Sequence, residues 1–294
     1  MLKGIYAPIP TPFDKNGELN LKALKKNLEW WSSSSLQGVV VAGTNGEAVL
    51  LDYEEKVEMF AYIRENSTKQ LQVIAGTGCE SARATKRLNS AAAKSGCDAV
   101  LVMNPAYFKG NLDEKTLENY FLHVAEESPL PVILYNMPRN TVLNMSAALI
   151  CKLANHPNIV GIKDSSGNIV QISEIIYNTH PGFAMFAGST SFLLPSLVMG
   201  ADGGTLALAN IMPEQCVRIM SLFEQGEMSE AKKLQLSLLE INHAVTARWG
   251  VSALKAALDL IGLYGGSPRL PLLPLGSVEK NLLKKMMENH NLLK

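Results

Sequence analysis

The decapeptide NIVGIKDSSG at residues 158–167 joins an apolar, β-branched run to a lysine and then to a turn-forming group of serines and glycine. A run such as Ile159, Val160, Gly161 and Ile162 suits a strand covered on both faces, where an ammonium group without a partner is costly to bury. Lys163 therefore snorkels to solvent, is neutralised by Asp164, or is put to use. Successive strand residues point to opposite faces, so Asp164 is badly placed to pair with an inward Lys163. Burial then disfavours the ammonium form and leaves free amine, the standard nucleophile for a Schiff base.

A second apolar run, PVILYN at 131–136, ends near Tyr135. Taken alone, Tyr135 is a core aromatic whose hydroxyl finds a backbone partner. Beside Lys163, its phenol can relay protons while an imine forms and breaks down. In GTNGEA, residues 43–48, Gly43 and Gly46 flank Thr44 and Asn45. That pattern fits a tight turn, and it equally fits a nest of convergent backbone N–H groups sized for a carboxylate. The Lys-Ser/Thr of a nucleotide-binding loop is missing. Tyr107, two residues after Pro105 in NPAYFKG, suits either the site or an oligomer interface.

These residues need a scaffold that gathers strand ends. Eight short apolar runs begin at Gly4, Gly38, Leu71, Asp98, Pro131, Asn158, Phe183 and Gly203. Helical periodicity between them, at 21–31, 53–66, 81–95, 113–127 and 146–155, predicts parallel strands joined by helical crossovers. Eight such units predict an α/β fold of the (β/α)8 TIM barrel type over residues 1–212. Residues 213–294 read as a C-terminal helical extension packed on the barrel, with helices at 214–225, 229–248, 252–263 and after 277. An open doubly wound sheet is the alternative; GTGCES from Gly76, lacking a third glycine, is weak support for it. In a barrel, GTNGEA, NPAYFKG, YNMPRNT and KDSSG all fall at the C-terminal mouth where active sites are built.

Composition narrows the partners. Lys plus Arg balances Asp plus Glu at 27 each, so no global field favours nucleic acid or a membrane surface. Cys79, Cys97, Cys151 and Cys216 are scattered, and His123, His156, His180, His243 and His290 form neither HxxxH nor HExxH. Free thiols and no metal site are expected. The start MLKGIYAPIPTPF lacks a basic segment followed by an apolar one, and no apolar stretch of about 20 residues occurs, so a cytoplasmic location is expected.

In order along the chain, GTNGEA, PAYFKG, YNMP, GIKDSSG, FAGS (186–189) and GGTLALAN (203–210) resemble the pyruvate-dependent aldolase superfamily that contains dihydrodipicolinate synthase and N-acetylneuraminate lyase. The resemblance spans essentially the full length. It implies a (β/α)8 barrel with a helical extension, assembly as a homotetramer or homodimer, and class I aldol chemistry with no metal or organic cofactor. It implies that Lys163 forms the Schiff base with pyruvate, that Tyr135 shuttles the proton, and that Thr44 and Asn45 hold the pyruvate carboxylate. Thr44 with Tyr107 would extend the relay, Tyr107 reaching in from a neighbouring subunit. Gly188 and Thr205 would line the imine pocket through their backbone.

Two departures bear on the subfamily. Asn45 stands where dihydrodipicolinate synthases carry a second threonine, and Asn140 where they carry the arginine that grips aspartate semialdehyde. Arg139 is next door, but a neighbouring position in a loop need not reach the same pocket, and an amide does not replace a guanidinium fork. The chain is more similar to 4-hydroxy-2-oxoglutarate aldolases, which share the NGE loop, Asn140, GCES (78–81), EINHAVTARWG (240–250) and YGGSPRLPL (264–272). That likeness implies reversible cleavage of a 4-hydroxy-2-oxo acid to pyruvate and a small aldehyde such as glyoxylate. The alternatives are a dihydrodipicolinate synthase, a 2-keto-3-deoxy sugar acid aldolase, and a catalytically silent barrel that binds keto acids.

Overall fold

Strands β1 (Gly4–Pro8), β2 (Gly38–Val41), β3 (Gln72–Gly76), β4 (Ala99–Met103), β5 (Val132–Asn136), β6 (Ile159–Asp164), β7 (Ala184–Ala187) and β8 (Gly203–Thr205) are all parallel in the computed structural model, which describes residues 2–293. They pair in sequence order, and β8 returns to β1 to close the sheet. The expected (β/α)8 barrel is therefore present, and closure excludes the open doubly wound sheet.

Helices α1 (Leu21–Ser32), α2 (Tyr53–Asn66), α3 (Ala82–Lys94) and α4 (Glu114–Glu126) follow the first four strands. Asn20, Asp52, Ser81 and Asp113 each accept a first-turn backbone N–H at their starts, which satisfies a donor the helix itself leaves free. A short turn, α5 (Pro138–Thr141), precedes α6 (Ala147–Leu153); α7 (Ile169–Asn178), α8 (Leu193–Met199) and α9 (Pro213–Glu224) follow β6, β7 and β8. Then come α10 (Met228–Ser237), α11 (Leu239–His243), α12 (Gly250–Leu260) and α13 (Ser277–Asn289).

The single helix expected over 229–248 is instead broken into α10, α11 and a π-helical turn at Ala244–Arg248. Side-chain hydrogen bonding accounts for the break. Buried Asn242 donates to the hydroxyls of Ser189 (3.1 Å) and Ser191 (2.7 Å), while the Thr246 hydroxyl donates back to the Asn242 carbonyl (2.6 Å). Polar bonds of this kind compete with the regular ladder and tie α11 to the loop after β7.

The strands are covered on both faces. Tyr6, Val40, Ile74, Leu101, Ile133, Tyr135 and Phe186 fill the barrel, while a larger apolar layer separates the strands from the helices. Between β5 and β6 the register shifts once: Val132 pairs with Ile159, but Ile133 pairs with Gly161. Beyond the shift, Tyr135 sits opposite Lys163, and Lys163 opposite Phe186 on β7. Gly161 permits the close approach there, since a Cβ would come 2.6 Å from the Ala184 carbonyl oxygen.

Candidate active site

Residues level with one another on neighbouring strands present their side chains to the same face. Tyr135 and Phe186 both belong to the barrel interior, so the Lys163 level with them points inward too. Lys163 is only 4% exposed, and its Nζ lies 4.2 Å from the centroid of the Tyr135 ring. Among the described residues it forms no ion pair. Asp164 faces the other way and is fully engaged there. It accepts from Asn136 Nδ2 (2.8 Å), the Ser166 backbone N–H (2.8 Å) and Gln171 Nε2 (3.3 Å), with Asn144 completing the network. The neutralisation of Lys163 by its neighbour is thereby excluded.

The Tyr135 hydroxyl is 3.2 Å from the Thr44 hydroxyl, which links β5 to the loop after β2. Both border a cavity of about 300 Å³ at the C-terminal mouth, together with Gly43, Val49, Glu80 and Asn140. The loop between them is tightly specified. Ala42 and Glu47 adopt left-handed backbone angles, with φ of 51° and 57°, uncommon for residues with a Cβ. Gly76 makes room for it, since a Cβ would meet the Ala42 carbonyl oxygen at 2.1 Å. The Thr44 and Asn45 backbone N–H groups have no acceptor among the described residues, and the Asn45 side chain donates to the Pro8 carbonyl at 3.3 Å. Gly46 is buried against the segment that follows β1, with its carbonyl accepting from the Thr11 hydroxyl at 2.7 Å.

Gly188 and Thr205 lie two positions beyond Phe186 and Gly203, which are level with each other on β7 and β8. Thr205 is buried and level with Tyr6, and the Gly188 N–H donates to the Asp164 carbonyl at 2.7 Å. Both belong to the mouth-side layer above Lys163. Tyr107 stands apart. It is 79% exposed and stacked edge-on against exposed Phe108, on a loop whose N–H groups at Ala106 and Tyr107 are held by the Glu80 carboxylate. Within one chain it does not reach Thr44 or Tyr135.

Asn140 and Arg139 separate clearly. Asn140 borders the cavity, whereas Arg139 Nη2 donates to the Ala247 carbonyl in the π-helical turn at 2.7 Å. Among the described residues no arginine borders the cavity, and Lys163 approaches it through the ring of Tyr135. Among the described residues no group of three or more His, Cys, Asp or Glu side chains is arranged to hold a metal ion.

The dihydrodipicolinate synthetase family profile matches residues 1–290. The chain belongs to that family. It is 36% identical over 290 residues to a probable mitochondrial 4-hydroxy-2-oxoglutarate aldolase of Emericella nidulans, covering 97% of this chain and 94% of the relative. It is 34% identical over 293 residues to the 4-hydroxy-tetrahydrodipicolinate synthase of Geobacter metallireducens, covering both chains fully. A prophage protein of the dihydrodipicolinic acid synthase family from E. coli K12, solved in complex with pyruvate, superposes with a TM-score of 0.94 at 28% identity, covering 99% of each chain. As a dihydrodipicolinate synthetase family member, the chain is a lyase-type enzyme of the pyruvate-dependent aldolase kind.

Four residues of this family member form two ion pairs that spacing alone did not reveal. Glu47 lies within 2.5 Å of Lys255 of α12, and both side chains are wholly buried. Burial pushes the Lys255 amine down from its ordinary value, and Glu47 works against that. The other Glu47 oxygen accepts the Arg269 backbone N–H at 2.8 Å. The Arg269 guanidinium pairs with both oxygens of Glu55, holding that carboxyl below its usual value, and also donates to the carbonyls of Gly17 and Leu50. The legible signal was a lone lysine inside the apolar helix segment ALKAAL.

Proposed function

We propose that the protein is a Schiff-base aldolase that reversibly cleaves a 4-hydroxy-2-oxo acid, such as 4-hydroxy-2-oxoglutarate, to pyruvate and a small aldehyde such as glyoxylate. The observation that carries this reading is the inward, unpaired Lys163 beside Tyr135, whose hydroxyl meets that of Thr44. The Lys163 amine attacks the 2-oxo carbon, and loss of water leaves a protonated imine. The C3–C4 bond then breaks, its electron pair passing into the imine to give an enamine. The 4-hydroxyl proton passes to Tyr135 as Tyr135 gives its own to Thr44 and Thr44 releases its own to solvent at the mouth, and the aldehyde departs. Protonation of the enamine at C3 and hydrolysis release pyruvate and restore the amine. The free N–H groups of Thr44 and Asn45 hold the carboxylate, and the Gly188 and Thr205 layer walls the imine.

The Arg139 placement argues against the synthase reading, because aspartate semialdehyde would meet Asn140 rather than a guanidinium. One observation favours a second reading. With Glu80 at the cavity and no arginine there, the carboxylate of a glyoxylate half would meet Asn140 alone, and a neutral, hydroxyl-bearing aldehyde half also fits, as in a 2-keto-3-deoxy sugar acid. Exposed Tyr107 and Phe108 support a homodimer or homotetramer in which Tyr107 completes a neighbour's relay. Four free cysteines suit the reducing cytoplasm, and among the described residues no helix is long and apolar enough to cross a membrane.

Borohydride reduction with pyruvate should fix a covalent adduct on Lys163; an unmodified Lys163 peptide at saturating pyruvate would sink the mechanism. Pyruvate release from a panel of 4-hydroxy-2-oxo acids, set against condensation with aspartate semialdehyde, discriminates the substrates. Condensation as the dominant activity would overturn the aldolase assignment.

A further inference from the structure

The loop that carries Thr44 and Asn45 is short, and it begins and ends on left-handed residues, Ala42 and Glu47. Such conformations persist only where the surroundings over-determine them. For Glu47 those surroundings are the C-terminal extension. One carboxylate oxygen lies 2.5 Å from Lys255 Nζ and the other accepts the Arg269 N–H at 2.8 Å. Lys255 Nζ is fixed in turn by the Ser267 carbonyl at 3.1 Å, and it sits over the Phe13 ring. Neither Glu47 nor Lys255 borders the cavity. A wholly buried ion pair is weak support for stability, since apolar residues of similar volume hold a fold as well or better. What an ion pair on one oxygen and a hydrogen bond on the other supplies is a defined position for the peptide planes beside it.

We infer that Lys255 is a positioning residue: acting through Glu47, it sets the Thr44 and Asn45 N–H groups at the spacing that grips the substrate carboxylate. The helical extension thus tunes affinity for the 2-oxo acid without touching it. This rests on the reading of that loop as the pyruvate carboxylate site.

The test is borohydride trapping on Lys163 across a pyruvate titration, in the wild type and in the variants Glu47→Gln and Lys255→Met, with thermal unfolding measured alongside. The half-saturating pyruvate concentration should rise about tenfold in each single variant, as for a weakened hydrogen bond to a charged group, while trapping at saturation stays near that of the wild type. A purely structural pair would lower the melting temperature and leave half-saturation unchanged, and a shift below about twofold in a folded variant overturns the inference. Where a single variant fails to fold, Glu47→Gln/Lys255→Met, which carries no buried charge, gives the same readout. An untrapped wild type would bring down the reading of the site itself, whereas normal trapping with unshifted variants brings down only the role of Lys255.

Discussion

The hydroxyl of Tyr135, at the end of β5, meets the hydroxyl of Thr44, on the loop after β2, at 3.2 Å across the mouth of the barrel. Either can donate, so a proton accepted on one side can be handed on at the other without a charged intermediate lingering between them. Tyr135→Phe removes the first step of that relay and should lower kcat by roughly 100-fold or more. The variant should still be trapped by pyruvate and borohydride. Steady-state turnover within threefold of the wild type would remove Tyr135 from the proton path.

Lys163 is buried and, among the described residues, has no anionic partner. Such a group opposes folding, so Lys163→Met, similar in length and apolar, should melt at or above the wild-type temperature while losing all pyruvate adduct and all turnover. Thermal unfolding checks this. A marked drop in melting temperature would mean that the amine stabilises the barrel and is not held there for chemistry.

Gly188 leaves no room for a side chain. A Cβ would lie 1.9 Å from Ser165 Oγ, which can rotate away, and 2.8 Å from the Asp164 carbonyl oxygen, which cannot. Gly188→Ala should therefore push β6 and β7 apart at the mouth, costing about 1–3 kcal/mol in urea denaturation and most of the activity.

The Glu55–Arg269 contact sets a pH dependence. Arg269 holds the Glu55 carboxyl below its usual 4.5, so the folded state binds that proton less tightly than the unfolded chain. The stabilisation is complete above 4.5 and is lost as pH falls through the lower folded value. Urea midpoints measured from roughly pH 6 down to pH 3 should fall more steeply for the wild type than for Arg269→Gln. Parallel slopes would show that the pair contributes nothing to the acid limb.

Much of this was legible in the residues. Eight apolar runs became eight strands because parallel strands, covered on both faces, read as continuous hydrophobic segments. Lys163 and Tyr135 could be found because each interrupts such a run at its C-terminal end. The Glu47–Lys255 pair could not be found, because 208 positions of chain separate two residues that only barrel closure and the return of the extension bring together. The break within 229–248 was hidden for a similar reason. Helical periodicity continues through Asn242, and only the distant hydroxyls of Ser189 and Ser191 draw it out of a regular ladder. Arg139 and Asn140 were adjacent letters until the π-helical turn supplied the Ala247 carbonyl that takes one of them away.

The single register shift between β5 and β6 gives the chain a phase as well as a pattern. Ile162 and Lys163 alternate across one wall, and the extra residue before them decides which of the two looks into the barrel. Paired one for one from Val132 and Ile159, with no residue skipped, the same chain would set Ile162 level with Tyr135 and turn the isoleucine inward, leaving the amine stranded among the helices. Reactivity here is encoded by counting: an irregularity one residue long separates an enzyme from an inert barrel of nearly the same composition.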